Sequence, residues 1–134
     1  MAGEDNIKTI QTIYEAFGRG GLGTILDGLT DDVDWATDTS TSVAPWYGPR
    51  KGKDGVTGFF EAFGATVEVD EFTPLTFAAN DAEVFTVVRF RGRVRANGRA
   101  VALNLHHWFV FTDGKISYYR GTEDTAQIEA ALRG

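Results

Sequence analysis

The chain has 134 residues, of which 43% are hydrophobic, and its formal net charge is -6 at pH 7. Such a length fits a single domain over residues 1–134 with a hydrophobic core of its own. An acidic chain argues against a nucleic-acid partner. Because the sequence contains no cysteine, a disulfide scaffold, a thiol nucleophile and a thiolate metal site are all excluded.

Apolar residues at helical spacing predict a first helix with Asp5 or Asn6 as its N-cap. The same spacing predicts a short second helix over 22–29. The apolar positions of the first helix are Ile7, Ile10, Ile13, Tyr14 and Phe17.

A strand over 33–37 and a third helix over 54–63 are predicted next. The segment between them, 38–51, contains two prolines and the aromatic pair Trp46-Tyr47, which is typical of an irregular loop. The rest of the chain is mostly strand, up to Glu123 and Asp124, where a short final helix begins with Asp124 as its N-cap.

Two turn signals predict the register of the long strands. Asn97-Gly98 favours a two-residue hairpin loop, which pairs Val88 with His107. The residues that this register places on one apolar face are Val84, Thr86, Val88, Phe90, Val94, Val101, Leu103, Leu105, His107, Phe109 and Phe111.

Asp113-Gly114 is a second hairpin signal, and counting from it pairs Phe109 with Tyr118 and His107 with Arg120. Both hairpins place His107 on the apolar face. Adjacent strand residues point to opposite faces, so His106 is expected on the outer face.

The outer face carries an apolar patch at one end of the sheet, formed by Phe85, Val87, Trp108 and Val110. A large apolar patch outside a sheet usually indicates a partner, so we expect a homodimer through this face. Four arginines continue this face, Arg89, Arg91, Arg93 and Arg95, and together with Arg99 they form a basic strip. We interpret them as a solvated surface rather than a phosphate-binding strip, because the chain is acidic.

The order of these elements, together with several short motifs, resembles the SnoaL-like polyketide cyclases and steroid Δ-isomerases of the nuclear transport factor 2 (NTF2-like) superfamily. The motifs, in sequence order, are Tyr14-Glu-Ala-Phe-Gly-Arg-Gly-Gly-Leu22, Leu29-Thr-Asp-Asp-Val-Asp-Trp35, Tyr47-Gly48, Gly52-Lys-Asp-Gly-Val56, Phe59-Phe60 and His107-Trp-Phe-Val-Phe-Thr-Asp-Gly-Lys-Ile116, followed by Arg120 and Asp124-Thr125. The resemblance implies a cone-shaped α+β fold with three N-terminal helices packed on a curved antiparallel sheet and a short C-terminal helix.

The resemblance also implies a pocket between the sheet and the helices. Steroid isomerases use a strand carboxylic acid, a helix tyrosine and a first-strand aspartate in this pocket. The matching positions here hold His107 for the acid, Ile13 for the tyrosine with Tyr14 adjacent, and Thr37 for the base with Asp38 adjacent. Steroid isomerisation by that route is therefore not expected.

The candidate catalytic residues are His107, Arg120, Asp34 and Asp38. A buried His107 beside a guanidinium would stay neutral and act as a general base, while Arg120 holds a substrate oxygen and an aspartate orients the imidazole. The structural alternative is a core histidine bonded to Tyr118, or an Arg120–Asp34 ion pair. The candidate substrate-binding residues are Tyr14, Trp35, Trp46, Tyr47, Val88, Phe90, Phe109 and Tyr118.

Two functions remain open. The first is a cofactor-independent acid/base enzyme, of isomerase, cyclase, hydrolase or dehydratase type, that acts on a small apolar molecule bearing oxygen. The second is a non-catalytic ligand-binding or dimerisation module of the same fold. The only two histidines are adjacent and face apart, so no protein metal site is expected, and we expect no cofactor. Since no stretch resembles a membrane span or a signal peptide, we expect a cytoplasmic protein without a membrane partner.

Overall fold

The computed structural model describes residues 2–134, and within them four helices accompany one six-stranded sheet. The helices are α1 (Ala2–Gly18), α2 (Leu22–Asp27), α3 (Gly52–Thr66) and α4 (Thr125–Arg133). The strands are β1 (Leu29–Thr37), β2 (Arg50–Lys51), β3 (Val67–Ala79), β4 (Glu83–Val94), β5 (Ala100–Thr112) and β6 (Lys115–Thr122).

The sheet has the strand order β2-β1-β6-β5-β4-β3. Its long strands β3 to β6 are antiparallel neighbours, whereas β1 and β6 are parallel. The predicted α+β class is confirmed, but the sheet is mixed rather than wholly antiparallel. A parallel pair is possible here because residues 38–114 separate β1 from β6 and provide the long crossover that parallel strands require.

The helix ends differ from the sequence prediction at the first helix and agree with it at the last. Helix α1 begins at Ala2, so neither Asp5 nor Asn6 is its N-cap. Asn6 is instead buried within the helix, where its Nδ2 donates to the carbonyl of Asp81 at 3.4 Å. At the other end of the chain, Asp124 caps α4 by accepting a hydrogen bond from the backbone N–H of Gln127.

The hairpin at Asn97-Gly98 is longer than predicted, and the β4–β5 register moves by two residues. His107 is paired with Thr86, not with Val88. The predicted two-residue turn needs positive φ at both of its residues, but only Gly98 has it, and the Asn97 side chain instead donates from Nδ2 to the Ala131 carbonyl in α4 at 2.9 Å. A shift of two residues leaves every side chain on its predicted face.

The hairpin at Asp113-Gly114 forms as predicted, with positive φ angles of 51° and 80° at its two residues. The register then shifts by one residue, because Ser117 is an extra residue in β6 between the Phe111–Ile116 and Val110–Tyr118 pairs. A one-residue shift exchanges the two faces of a strand, so every prediction about β6 beyond Ser117 is reversed.

The apolar patch formed by Phe85, Val87, Trp108 and Val110 does lie on the outer face. Farther along this face, Arg91 pairs with Glu71 at 2.7 Å and Arg93 pairs with Asp70 at 3.0 Å. These arginines are neutralised by acidic residues of β3, which disfavours a phosphate-binding strip. No helix in the part of the chain that the structure describes is long and apolar enough to span a membrane.

Candidate functional site

A cavity of about 80 Å³ lies between the inner face of the sheet and helices α1 and α3. Most of its lining is aromatic or aliphatic, as expected for a small-molecule pocket. The phenylalanines and tryptophans that line it are Phe17, Trp35, Trp46, Phe59, Phe60, Phe63, Phe72, Phe90 and Phe109. The lining residues with polar groups are Tyr14, Thr37, His107, Tyr119 and Glu123.

A hydrogen-bonded chain of three side chains ends at this cavity. The hydroxyl of Tyr14 in α1 lies 2.6 Å from Thr86 Oγ1 in β4 and 2.6 Å from His107 Nδ1 in β5. Thr86 and Tyr14 are both buried. Because Thr86 and His107 are cross-strand partners, the sheet itself brings both within reach of one helix tyrosine.

Counting hydrogens assigns a direction to this chain. Burial raises the pKa of Tyr14, so its phenol stays protonated and has one hydrogen to donate. If Thr86 donates to Tyr14 and Tyr14 donates to Nδ1 of His107, both hydroxyl hydrogens have acceptors, and the one hydrogen left over is the Nε2–H of His107, a residue that lines the cavity. The reverse direction leaves the Thr86 hydroxyl hydrogen without an acceptor among the described residues, which costs roughly 1–3 kcal/mol. The favoured arrangement places the His107 proton on Nε2.

The imidazole of His107 is enclosed by aromatic rings. Its ring centroid lies 5.8 Å from those of Tyr14 and Phe109 and 5.4 Å from that of Tyr119. Desolvation in this environment, with a smaller contribution from His106, lowers the pKa of His107 from 6.5 to about 3. The neutral imidazole expected from the sequence therefore results from burial, as predicted, but Arg120 is not among its causes.

Tyr119, which the sequence analysis did not select, takes the place in the pocket that was predicted for Tyr118. Its ring stacks on Trp35, with centroids 4.1 Å apart, and its burial raises its pKa well above the ordinary value. The ring lies over Gly121, where any Cβ would overlap the Tyr119 hydroxyl. The indole N–H of Trp35 is buried without an acceptor among the described residues.

Glu123 follows β6 and provides a carboxyl group to the cavity. Its Oε2 accepts a hydrogen bond from the hydroxyl of Tyr47 at 3.0 Å, and Tyr47 comes from the loop predicted between β1 and α3. Burial raises the pKa of Glu123, and the bond from Tyr47 partly opposes that shift. Among the lining residues in the described chain, Glu123 is the only one with a carboxylate.

Six of the predicted site residues do not line the cavity, and four of them, Arg120, Tyr118, Asp34 and Asp38, are excluded by the bulge at Ser117 and the alternation of faces along β1. Arg120 and Tyr118 pair with Trp108 and Val110 on the outer face. Arg120 binds Asp34 at 2.9 Å and lies 3.7 Å from Asp38. Arg120 and Tyr118 therefore do not line this cavity, although Arg120, Asp38 and His107 all line a separate cavity of about 410 Å³. The ion pair between Arg120 and Asp34, which the sequence offered as the structural alternative, is present.

The remaining predicted wall residues are mostly in place. Tyr14, Trp35, Trp46, Phe90 and Phe109 line the cavity. Val88 is instead fully buried in the core and contributes no lining surface, and Tyr47 reaches the cavity only through Glu123. His107 lines the cavity and His106 is exposed, so the predicted orientation of the two histidines is confirmed.

Solved structures share this fold over almost the whole chain. An NTF2-like protein of unknown function from Burkholderia pseudomallei K96243 is 25% identical, with 97% of this chain and 98% of that chain covered and a TM-score of 0.89. TerC, crystallised with polyporic acid, is 20% identical, with 97% and 99% covered and a TM-score of 0.85. An LEH-like epoxide hydrolase from M. tuberculosis is 17% identical, with 100% and 94% covered and a TM-score of 0.76.

No protein with a curated description matches the chain in sequence. The family model described as a SnoaL-like domain matches residues 10–119, which is most of the chain. This match establishes that the chain belongs to the SnoaL-like domain family.

Proposed function

We propose that this protein is a cofactor-independent acid/base enzyme that binds a small, largely apolar molecule and polarises one of its oxygens through the Nε2–H of His107. The observation that carries the proposal is the chain from Thr86 through Tyr14 to His107 Nδ1, with both distances at 2.6 Å. This chain fixes the imidazole at the wall of an apolar cavity with its other nitrogen unbonded by any described residue.

The low pKa of His107 favours a hydrogen-bond donor over the general base expected from the sequence. A base works best when its pKa lies near the working pH, and a ring with a pKa of about 3 holds an extra proton only weakly at neutral pH. The same low pKa keeps the ring neutral, so Nε2–H can donate to a developing negative charge. Such a donor is strongest where water is excluded, as among these aromatic rings.

The cavity walls favour a flat molecule with one ring. Its free volume of about 80 Å³ is smaller than the roughly 150 Å³ of a cavity known to hold benzene, so a ligand would need some outward movement of the walls. Another cavity of about 500 Å³ shares Phe17, Phe60 and Phe72 with the first. TerC, which has the same fold, was crystallised with an organic acid, which supports a small organic ligand here.

Binding of 4-fluorophenol, followed by ¹⁹F NMR, tests the oxygen site. The His107→Phe variant keeps an aromatic ring but has no N–H, so it should weaken binding by roughly tenfold. His106→Phe is the matched control, because the same change is made one residue away on the outer face. Equal affinities for the parent protein and His107→Phe would contradict the proposal.

A ligand-binding module without catalysis is the second candidate, and the predominance of apolar groups in the cavity lining favours it. It makes the same binding prediction but requires no group that moves a proton. A parent protein that binds 4-fluorophenol through His107 yet catalyses no proton transfer would support this candidate.

A further inference from the structure

We propose that residues 39–49, between β1 and β2, form a movable strap that opens outward to admit a ligand to the cavity, and that the hydrogen bond from Tyr47 to Glu123 is the latch that holds the strap closed. The inference rests on the proposed function, because it concerns how a molecule reaches the site at His107. It starts from the small free volume of the cavity, since one wall must move before a ring can enter.

The strap contributes the ring of Trp46 to the cavity wall. Trp46 is 2% exposed and meets Phe63 of α3 edge-on, with ring centroids 5.1 Å apart. Ala44 and Tyr47 of the strap are also buried, and they belong to one cluster with Ile128 of α4. Outward movement of the strap would therefore enlarge the cavity at the end where Ile128 lines it.

The backbone of the strap is not bonded to the rest of the protein. Among the described residues, no backbone atom of 39–49 makes a hydrogen bond with a backbone atom outside this range. Its own backbone N–H bonds are internal, such as the one from Tyr47 to the Ala44 carbonyl at 3.0 Å. The other walls are strands and helices, which would lose backbone hydrogen bonds if they moved. The strap is therefore the wall that moves at the lowest cost.

Three side-chain hydrogen bonds tie the strap to its surroundings, from Tyr47 to Glu123 at 3.0 Å, from Arg50 to the Pro45 carbonyl at 3.2 Å and from Thr41 to Glu129 at 3.4 Å. The bond to Glu123 is the shortest of the three. Glu123 also lines the cavity, whereas Glu129 does not. These two properties identify the Tyr47–Glu123 bond as the latch between the strap and the site.

The two ends of the strap are fixed, and a glycine lies beside one of them. At the first end, the Asp38 N–H donates to the Gly121 carbonyl at 2.7 Å, and at the second end Arg50 pairs with Trp35. Gly48 has a φ of 102° and open space where a Cβ would lie. Because glycine rotates freely in this region, Gly48 is the position at which the chain can bend before it enters β2.

The latch makes the opening depend on pH. Burial raises the pKa of Glu123, and the bond from Tyr47 opposes this shift by less. In the open strap water reaches the carboxyl group and its pKa falls toward the ordinary 4.5, so the closed form binds the proton more tightly. Opening should therefore become more favourable as the pH rises from about 4.5 to the raised pKa, and level off above it. The titratable groups that face Glu123 are Tyr47 of the strap, Tyr119 of β6, His107 of β5, and Asp124 and Glu129 at α4.

A single introduced thiol reports the opening, because the chain has no cysteine. The thiol of Ala44→Cys is buried in the closed strap and reacts with methyl methanethiosulfonate only when the strap opens. Val88→Cys is the matched control, since this core position of β4 is exposed only by unfolding. Ala44→Cys should react at least roughly 100-fold faster than Val88→Cys. Its rate should also depend less on urea, because local opening exposes less surface than unfolding.

Binding of 4-fluorophenol identifies the wall that moves. If the strap moves outward to make room, saturating ligand should raise the labelling rate of Ala44→Cys by roughly threefold or more and lower that of Val88→Cys. Tyr47→Phe should raise the rate of Ala44→Cys by about two- to tenfold, because it removes the latch. Tyr118→Phe makes the same change on the outer face and should leave the rate unchanged.

The pH dependence tests the role of Glu123 in the latch. Ser42→Cys, at an exposed position of the strap, gives the intrinsic rate of an accessible thiol at each pH. The rate of Ala44→Cys relative to Ser42→Cys should rise as the pH is raised from about 4.5. Addition of Glu123→Gln should remove this rise, an effect that a loss of stability alone would not produce.

Native-state proteolysis of the unsubstituted protein gives a second measurement, which decides the question if Ala44→Cys does not fold. Chymotrypsin cuts after aromatic residues, and Trp46 and Tyr47 are both buried in the closed strap. Opening should make them the first sites of cleavage, ahead of Phe85, which is 45% exposed but lies within β4.

The outcomes separate the two proposals. Rapid labelling of Ala44→Cys that 4-fluorophenol accelerates supports the inference. Labelling as slow as that of Val88→Cys overturns it, and so does labelling that 4-fluorophenol slows, since another wall then moves. Either of these results leaves the oxygen site at His107 standing. A parent that does not bind 4-fluorophenol overturns the proposed function, and the ligand-free labelling rates alone then decide whether the strap opens.

Discussion

The guanidinium of Arg120 binds the carboxylate of Asp34 at 2.9 Å, on the face of the sheet opposite His107. The same guanidinium donates to the Tyr119 carbonyl at 2.8 Å and lies over the Tyr118 ring, 4.1 Å from its centroid. Arg120 therefore connects the parallel strands β1 and β6 from outside, and its contacts describe a structural role.

The Arg120→Met variant should be less stable by about 1 kcal/mol, because it loses a partly exposed ion pair and its hydrogen bonds. Its affinity for 4-fluorophenol should remain within about twofold of the parent, since the two sites share no partner. Urea denaturation and ¹⁹F NMR measure the two effects. Arg89→Met is the control for loss of a positive charge. If Arg120→Met lost affinity for 4-fluorophenol while Arg89→Met did not, Arg120 would belong to the binding site and the structural role would be contradicted.

Gly121→Ala should destabilise the protein by roughly 1–3 kcal/mol, because the new methyl group overlaps the buried ring of Tyr119. Gly64→Ala is the opposite case, since a Cβ at this helical position meets open space, and it should stabilise by about 0.5–1 kcal/mol. Urea denaturation of both variants compares them directly. A Gly121→Ala protein as stable as the parent would show that Tyr119 moves away without cost.

We propose that two copies pair through the outer patch of Phe85, Val87, Trp108 and Val110. Phe85 is 45% exposed, and its ring stacks on Trp108 with the planes within 5°. Trp108→Glu should sediment as a monomer at concentrations at which the parent is a dimer. Leu75 is an apolar residue outside the patch and is 56% exposed. The control variant Leu75→Glu should therefore remain a dimer. A parent protein that sediments as a monomer, or a Trp108→Glu variant that remains a dimer, would contradict the proposal.

The sequence was sufficient to predict the class of fold and the inward orientation of His107, because alternation along a strand survives a register shift of two residues. The sequence was not sufficient to predict which residues of β6 point toward the cavity. The bulge at Ser117 brings Tyr119 onto Trp35 and Arg120 onto Asp34, and both partners belong to β1, a strand distant in sequence. Local turn chemistry predicted the hairpin at Asp113-Gly114 but carries no information about these contacts.

The polar groups of the site depend on contacts between distant segments. Tyr14 and His107 are 93 residues apart in sequence, and Tyr47 and Glu123 are 76 residues apart. The sequence indicated Tyr14 as a helix-stripe residue and a candidate pocket wall without its bond to His107, and it indicated Glu123 only as the neighbour of a helix cap. A helix position that carries a hydroxyl within an apolar stripe is the one local signal that indicated Tyr14.

The central claim is that His107 stays neutral with its proton on Nε2, and ¹⁵N NMR of the imidazole side chains tests it most directly. The folded pKa of about 3 lies below the ordinary 6.5, so the unfolded chain binds more protons between these values. The contribution of His107 to the free energy of unfolding is therefore complete above about pH 6.5 and is lost as the pH falls toward 3. Replacement by Phe should remove that part of the pH dependence of unfolding.

In a titration from pH 8 to pH 4, with the exposed His106 as internal reference, the His107 nitrogens should keep the chemical shifts of the neutral Nε2–H tautomer throughout. The proton should couple to Nε2, and Nδ1 should report an accepted hydrogen bond that disappears in Tyr14→Phe. A His107 that titrates near 6.5, or one that carries its proton on Nδ1, would contradict the account.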